Sequence, residues 1–209
     1  MKIIGNIKEY DDGGNLIFDG EYLNDKKWNG KGYEINNIIY EIKDGKGFIN
    51  DKYFKGEYLN GERNGKGKEY YKNGNSMFEG EYLNGKKWNG KGYNENQNIY
   101  ELKNGKGFIK EYNEYGELKF LGDYLYGERN GKGKEFNWKG IIIFEGEYLN
   151  GERNKGKWYD KNGNLIFKSE YLYGCKRKGY LYLNGILELE GEYLYNNKYN
   201  RKGFDENHR

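Results

Sequence analysis

The chain alternates with the period of a strand. Around its most regular stretch, Phe54, Gly56 and Tyr58 fall on one face and Lys55, Glu57 and Leu59 on the other. Asn60-Gly61 then supplies a hairpin signal, after which Gly65 and Gly67 share a face and Lys66 points away. A hairpin symmetric about Gly61-Glu62 sets Tyr58 opposite Gly65 and Glu57 opposite Lys66. The ring then lies across a glycine and the charges pair on the other face. A second turn signal follows at Lys72-Asn73-Gly74-Asn75, echoed at Asp12-Gly13-Gly14-Asn15 and Lys161-Asn162-Gly163-Asn164. The pattern predicts a meander of short antiparallel hairpins. Helix is a poor reading: glycine recurs inside every unit at a cost of about 1 kcal/mol each against Ala, and no 3.6-residue apolar stripe runs long enough to offset it.

The alternation repeats. An aromatic-x-Gly-Glu-Tyr core stands at Phe18–Tyr22, Phe54–Tyr58, Phe78–Tyr82, Phe120–Tyr124 (Asp123 for Glu) and Phe144–Tyr148. Looser copies lie at Phe167–Tyr171, with Ser169 for Gly, and at Leu189–Tyr193, and shortened copies begin at Tyr40 and Tyr100. About nine units, spaced roughly 22 residues apart, fill one array over 1–209: a partial repeat or cap at 1–17, repeats over 18–204 and a tail at 205–209. A block of three units is duplicated, with Trp28/Trp88, Tyr40/Tyr100 and Phe48/Phe108 in matching places and an insertion near Tyr112–Glu117. Units at Phe18 and Phe78 carry an extra loop residue, which puts Trp28 and Trp88 in loops.

The pattern aromatic-x-Gly-Glu-Tyr-x-x-Gly-x-x-x-Gly-x-Gly, clearest at Phe54–Gly67, Phe120–Gly133 and Phe144–Arg153, resembles the MORN repeat. The link Glu69-Tyr70-Tyr71-Lys72-Asn73-Gly74 looks like the bacterial MORN-variant form with its second Asn-Gly turn. The resemblance implies an all-β fold, an elongated single-layer antiparallel sheet of tandem hairpins with roughly 18 strands at about 4.8 Å each. It implies a scaffold or membrane-proximal interaction module rather than an enzyme, and homodimers are common in the family. Open terminal strands offer a route to such a dimer.

Composition narrows the chemistry. There are 34 Gly, no Pro, 24 Tyr and 10 Phe, and Ala, Val and Thr are absent. Such a chain stacks rings on bare backbone instead of filling an aliphatic core. A net charge of +3 with interleaved signs argues against nucleic acid. Cys175 is alone, excluding a disulfide framework and a cysteine-based metal site. Met1–Asn6 is too short an apolar run for a secretory signal, so a cytoplasmic protein is expected, without cofactor.

Catalysis lacks its parts. Ser76 and Ser169 are the only serines and His208 the only histidine, in the tail. Glu21, Glu57, Glu81, Asp123, Glu147, Glu170 and Glu192 hold one repeated position, which fits structure better than a catalytic pair. Two binding readings remain. An aromatic groove of Tyr22, Tyr58, Tyr82, Tyr124 and Tyr148, with Trp28 and Trp88 and then Trp138 and Trp158 as the strongest single candidates, would hold a protein partner. Alternatively, Lys31, Lys46, Lys66, Lys91, Lys106 and Lys132 form a ladder with loop cations Lys26, Lys27, Lys86, Lys87, Arg63, Arg129 and Arg153, facing anionic membrane lipids. Against the lipid reading, the Glu row neutralises the ladder.

Overall fold

The computed structural model describes the backbone of residues 3–94, 97–172, 175–183, 185–194 and 197–203; the tail, with His208, lies outside these. The described residues form strands and turns without helix. The chain divides into two compact units, Met1–Gly105 and Lys106–Arg209.

The first unit holds a ten-stranded sheet in sequential order. Its strands are β1 (Ile3–Tyr10), β2 (Leu16–Leu23), β3 (Lys26–Glu34), β4 (Asn37–Lys43), β5 (Lys46–Asn50), β6 (Phe54–Leu59), β7 (Glu62–Tyr70), β8 (Ser76–Leu83), β9 (Lys86–Asn94) and β10 (Gln97–Leu102). The second unit holds a nine-stranded sheet, also sequential. It comprises β11 (Gly107–Tyr112), β12 (Leu118–Leu125), β13 (Glu128–Phe136), β14 (Ile142–Leu149), β15 (Glu152–Tyr159), β16 (Leu165–Leu172), β17 (Cys175–Leu183), β18 (Ile186–Leu194) and β19 (Asn197–Gly203). Both sheets are antiparallel meanders of consecutive hairpin strands, not closed into barrels.

Two turn types recur along the meanders. In the first, two residues sit in the left-handed region, as at Asn60 (φ 53°) and Gly61 (φ 73°), which matches the twist of the flanking strands. The second closes five residues around a capping side chain. At Asp11–Asn15 the Asp11 carboxylate accepts the backbone N–H groups of Gly13 and Asn15, and the Gly14 N–H returns to the Asp11 carbonyl. The same backbone bonds recur at 71–75, 113–117, 137–141 and 160–164. The apparent insertion at Tyr112–Glu117 is therefore one more copy of this turn.

The hairpin register differs from the symmetric expectation. Tyr58 pairs with Arg63, not Gly65, while Gly56 pairs with Gly67. The turn is centred on Asn60-Gly61, and a bulge opposite Glu57 absorbs the remaining residues of the second strand, with Gly65 at φ 85°. The tyrosine opposite Gly65 is Tyr82 of the next unit, and Lys66 faces Glu81 beside it. The Tyr82 ring approaches Gly67, while Gly65 lies beside Glu57, so tyrosine-on-glycine and Glu–Lys pairing join successive hairpins. In the units with an added residue, the bulge rather than the loop adjusts. Gly20 pairs with Gly30 and Tyr22 with Lys27, which leaves Trp28 as the bulged residue inside β3; Trp88 occupies the same place in β9.

Facing glycines run across each sheet. Gly56, Gly67, Gly80 and Gly90 succeed one another on β6–β9, and Gly122, Gly133, Gly146 and Gly156 on β12–β15, followed by buried Ser169 on β16. Ile42, Ile49, Leu102 and Ile109 take the aligned positions on the shorter strands and are buried. Phe18, Phe54, Phe78, Phe120 and Phe144 lie on this floor at 0–2% exposure. Tyr22, Tyr58, Tyr82, Tyr124 and Tyr148 meet their neighbouring phenylalanines edge-on, as for Phe120–Tyr148 at 5.2 Å and Phe54–Tyr82 at 5.6 Å.

A methyl group on Gly133 would lie 2.6 Å from Phe120 Cε2. Gly133→Ala is expected to cost about 1–3 kcal/mol by overpacking, read from urea denaturation of the full chain. Gly5→Ala, with nothing within 4 Å of the new methyl, should change stability by less than about 0.5 kcal/mol.

Candidate interaction surface

Alternation gives each sheet two chemically different faces. On the ring face, cations cap the phenylalanines. Arg129 lies 4.1 Å from the Phe120 centroid, and Arg153 lies 4.8 Å from Phe144 and 4.3 Å from Trp158. Carboxylates hold these cations. Arg129 donates Nε and Nη2 to Glu111, both at 2.9 Å, and Nη1 to Glu135 at 3.2 Å. Arg153 donates Nε and Nη2 to Glu135 at 3.2 and 2.5 Å. The Tyr124 and Tyr148 hydroxyls donate to Glu111 and Glu135 at 2.5 and 2.7 Å.

The first unit repeats the device with lysines. Lys27 stands 4.1 Å over Phe18 and 2.9 Å from Glu9, which also accepts the Tyr22 hydroxyl. Lys87 stands 4.7 Å over Phe78 and 2.6 Å from Glu69. Arg63 lies 4.2 Å over Phe54 and pairs with the same Glu69. Glu9, Glu69, Glu111 and Glu135 are thus the organising groups of this face. Sequence reasoning passed over them in favour of the Gly-Glu-Tyr glutamates. Their signal was a glutamate just before an aromatic residue at a strand's end: Glu9-Tyr10, Glu69-Tyr70, Glu111-Tyr112 and Glu135-Phe136.

The balance of burial and partners fixes the ionisation of this face. Burial opposes the charge on Glu135, but hydrogen bonds from Arg153 and Tyr148 and the charges of Arg153 and Arg129 outweigh it, so its pKa is lowered. Glu111 is lowered against burial by Arg129 and Tyr124, and Glu69 by Lys87 and Arg63. Tyr148 and Tyr124 are raised, first by burial and then by the carboxylates they face. The four glutamates are ion-paired acceptors, a structural chemistry rather than an acid/base one.

The predicted groove is consequently lined and covered. Tyr82 and Tyr148 are buried and Tyr22, Tyr58 and Tyr124 half-buried. Trp28 and Trp88 lie within strands, half-buried, and not in loops. Trp28 packs on Gly45, whose N–H donates to the Trp28 carbonyl at 2.8 Å; the Gly105 N–H donates likewise to Trp88 at 2.7 Å. Trp158 is half-buried on Phe144, whereas Trp138 stands 72% exposed at a turn tip.

The opposite face is charged and open. Lys31, Lys46, Lys66, Lys91, Lys106 and Lys132 are exposed. Lys31 lies between Asp19 and Glu41, Lys91 between Glu79 and Glu101, and Lys66 and Lys132 face Glu81 and Glu147. Of the remaining cation candidates, Lys26 pairs with Glu62 at 2.7 Å, Lys86 is exposed beside its turn, and Lys27 and Lys87 belong to the ring face. Among the apolar groups on this face, Phe48 is 59% and Phe108 56% exposed, at equivalent places. Phe108 and Leu121, with Lys132, Lys134, Glu145 and Glu147, line an open depression of about 380 Å³ in the second unit.

No family model matches the chain, and no curated protein matches it. Among the described residues there is no His/Cys/Asp/Glu group suited to a metal ion, and no helix is long and apolar enough to cross a membrane.

The ring-face carboxylates set a pH dependence. Their folded pKa values lie below the ordinary 4.5, so the stability they contribute is present above that value and is lost as pH falls through the folded pKa values. Urea denaturation from pH 7 to about pH 3 is expected to show a steepening loss below about pH 4.5. Glu135→Gln should cost about 2–3 kcal/mol at pH 7 and flatten that dependence, because two guanidinium groups lose their shared carboxylate.

Proposed function

We propose that the chain is a non-catalytic scaffold built of MORN-type repeats, cytoplasmic, that holds a protein partner on its charged face. The observation that carries this reading is the pair of exposed phenylalanines, Phe48 and Phe108, set at equivalent positions in a field of ordered Lys and Glu. On either sheet a partner gains apolar contact at the exposed phenylalanine and orientation from the surrounding charges. The MORN assignment draws support from the consecutive hairpins and from the glycine floor beneath the phenylalanines. The ring face is the weaker candidate, since its cations already cap the rings.

Anionic membrane lipid is the second reading, and the same face argues against it. Lys68–Glu79, Lys134–Glu145 and Lys155–Glu147 pair at 3.1, 2.9 and 3.1 Å. A bilayer of one sign would meet attraction and repulsion in equal measure.

Affinity capture from the native cell, with the double variant Phe48→Ser/Phe108→Ser alongside the wild type, tests the proposal. The expected result is a specific partner whose recovery falls at least tenfold in the variant while circular dichroism stays unchanged. Undiminished recovery would remove the charged face from the account. Flotation with phosphatidylserine vesicles at low salt should leave the protein behind; co-flotation would favour the lipid reading.

A further inference from the structure

In the second unit, the charges of the open face form a row whose sign alternates from strand to strand. Asp123 on β12 accepts the Lys132 N–H at 3.1 Å, and Lys132 on β13 faces Glu147 on β14. Glu147 faces Lys155 on β15, and the backbone register continues through residues 170, 178 and 192 on β16–β18. Strands lie about 4.8 Å apart, so like charges recur about every 9.6 Å. In the first unit the corresponding row alternates only from Lys66 on β7 to Glu81 on β8 and ends at the uncharged Asn89 on β9.

Such a row is complementary to itself. Two copies of the sheet can stack face to face about a two-fold axis parallel to the strands. If that axis projects midway between β13 and β14, each of the four row positions on β12–β15 meets one of opposite sign. Lys132 then meets Glu147 of the second copy, Lys155 meets Asp123, and each contact is made twice. An axis projecting onto a strand would set like against like, so the row admits only axes that fall between strands. Stacked twisted sheets cross at about 30°, which confines good alignment to the strands nearest the axis. Those strands, β12–β15, also carry Leu121 and most of the depression lined by Phe108, the apolar contact that a charged surface alone lacks.

We propose that the charged face of β12–β15 docks on the same face of a second copy of this chain, in the register that sets Lys132 against Glu147. The proposal rests on the reading of this face as a protein-binding surface and names its occupant. Rows already paired within one sheet lose little on docking, since each lysine keeps its neighbour and gains a second carboxylate. The association is therefore salt-sensitive, because the contacts are between partly solvated charges.

Sedimentation of the full chain over a range of concentrations tests this. The wild type is expected to form a dimer at about 50 mM salt that weakens by at least tenfold at about 500 mM. Lys132→Glu/Lys155→Glu and Asp123→Lys/Glu147→Lys should each be monomeric, and an equimolar mixture of the two should recover a heterodimer. A wild type that stays monomeric at every concentration would overturn the proposal, whatever the variants do. So would folded variants whose mixture fails to associate. A monomeric wild type that still loses a captured partner on Phe48→Ser/Phe108→Ser would sink the self-docking alone and leave the interaction face standing.

Discussion

Everything in these sheets depends on an aromatic ring placed over backbone that has no side chain. Phe120 sits where a methyl on Gly122 or on Gly133 would be 2.7 or 2.6 Å from it, and Phe54 covers Gly56 and Gly67 in the same way. A sheet without a second layer has few other means of removing apolar surface from water. Pairing glycines strand against strand lets one ring cover two backbones, and the tyrosine of the following unit closes the gap edge-on. The tyrosine contact therefore ties each hairpin to the next within its sheet.

The same residue types serve opposite ends on the two faces. Glutamates at 69, 111 and 135 are sheltered, share cations with the rings beneath them, and are held ionised by those partners. Those at 81, 145 and 147 stand in the open row beside lysines. One step along a strand separates the two fates, because successive side chains point to opposite faces. Internal charge fixes the rings; external charge gives the open face its pattern, and that pattern is what a partner would read.

Much of the fold was legible in the chain. The two-residue period, the Asn-Gly turns and the recurring aromatic-x-Gly core gave strands, hairpins and their succession. Register was not, because a bulge costs little and leaves no strong mark in sequence: the shift opposite Glu57 moved the partner of Gly65 from Tyr58 to Tyr82. The tryptophans were misplaced for the same reason, since the residue that looked like a longer loop became a bulge within a strand. Arg63, Arg129 and Arg153 read as loop cations because a charge on a strand is assumed to face water. Their placement over phenylalanine depends on carboxylates roughly six or eighteen residues away, a relation that only the strand order reveals. The exposure of Phe48 and Phe108 was equally hidden, for alternation assigns a face but not what covers it.

A double-mutant cycle between Gly133→Ala and Phe120→Leu tests the central claim most directly. If the glycine is required because the ring lies on it, shrinking the ring relieves the added methyl. The two losses, measured by urea denaturation, should then sum to at least about 1 kcal/mol more than the loss in the double variant. Additivity within about 0.5 kcal/mol would show that the glycine serves the backbone alone, and would contradict the account.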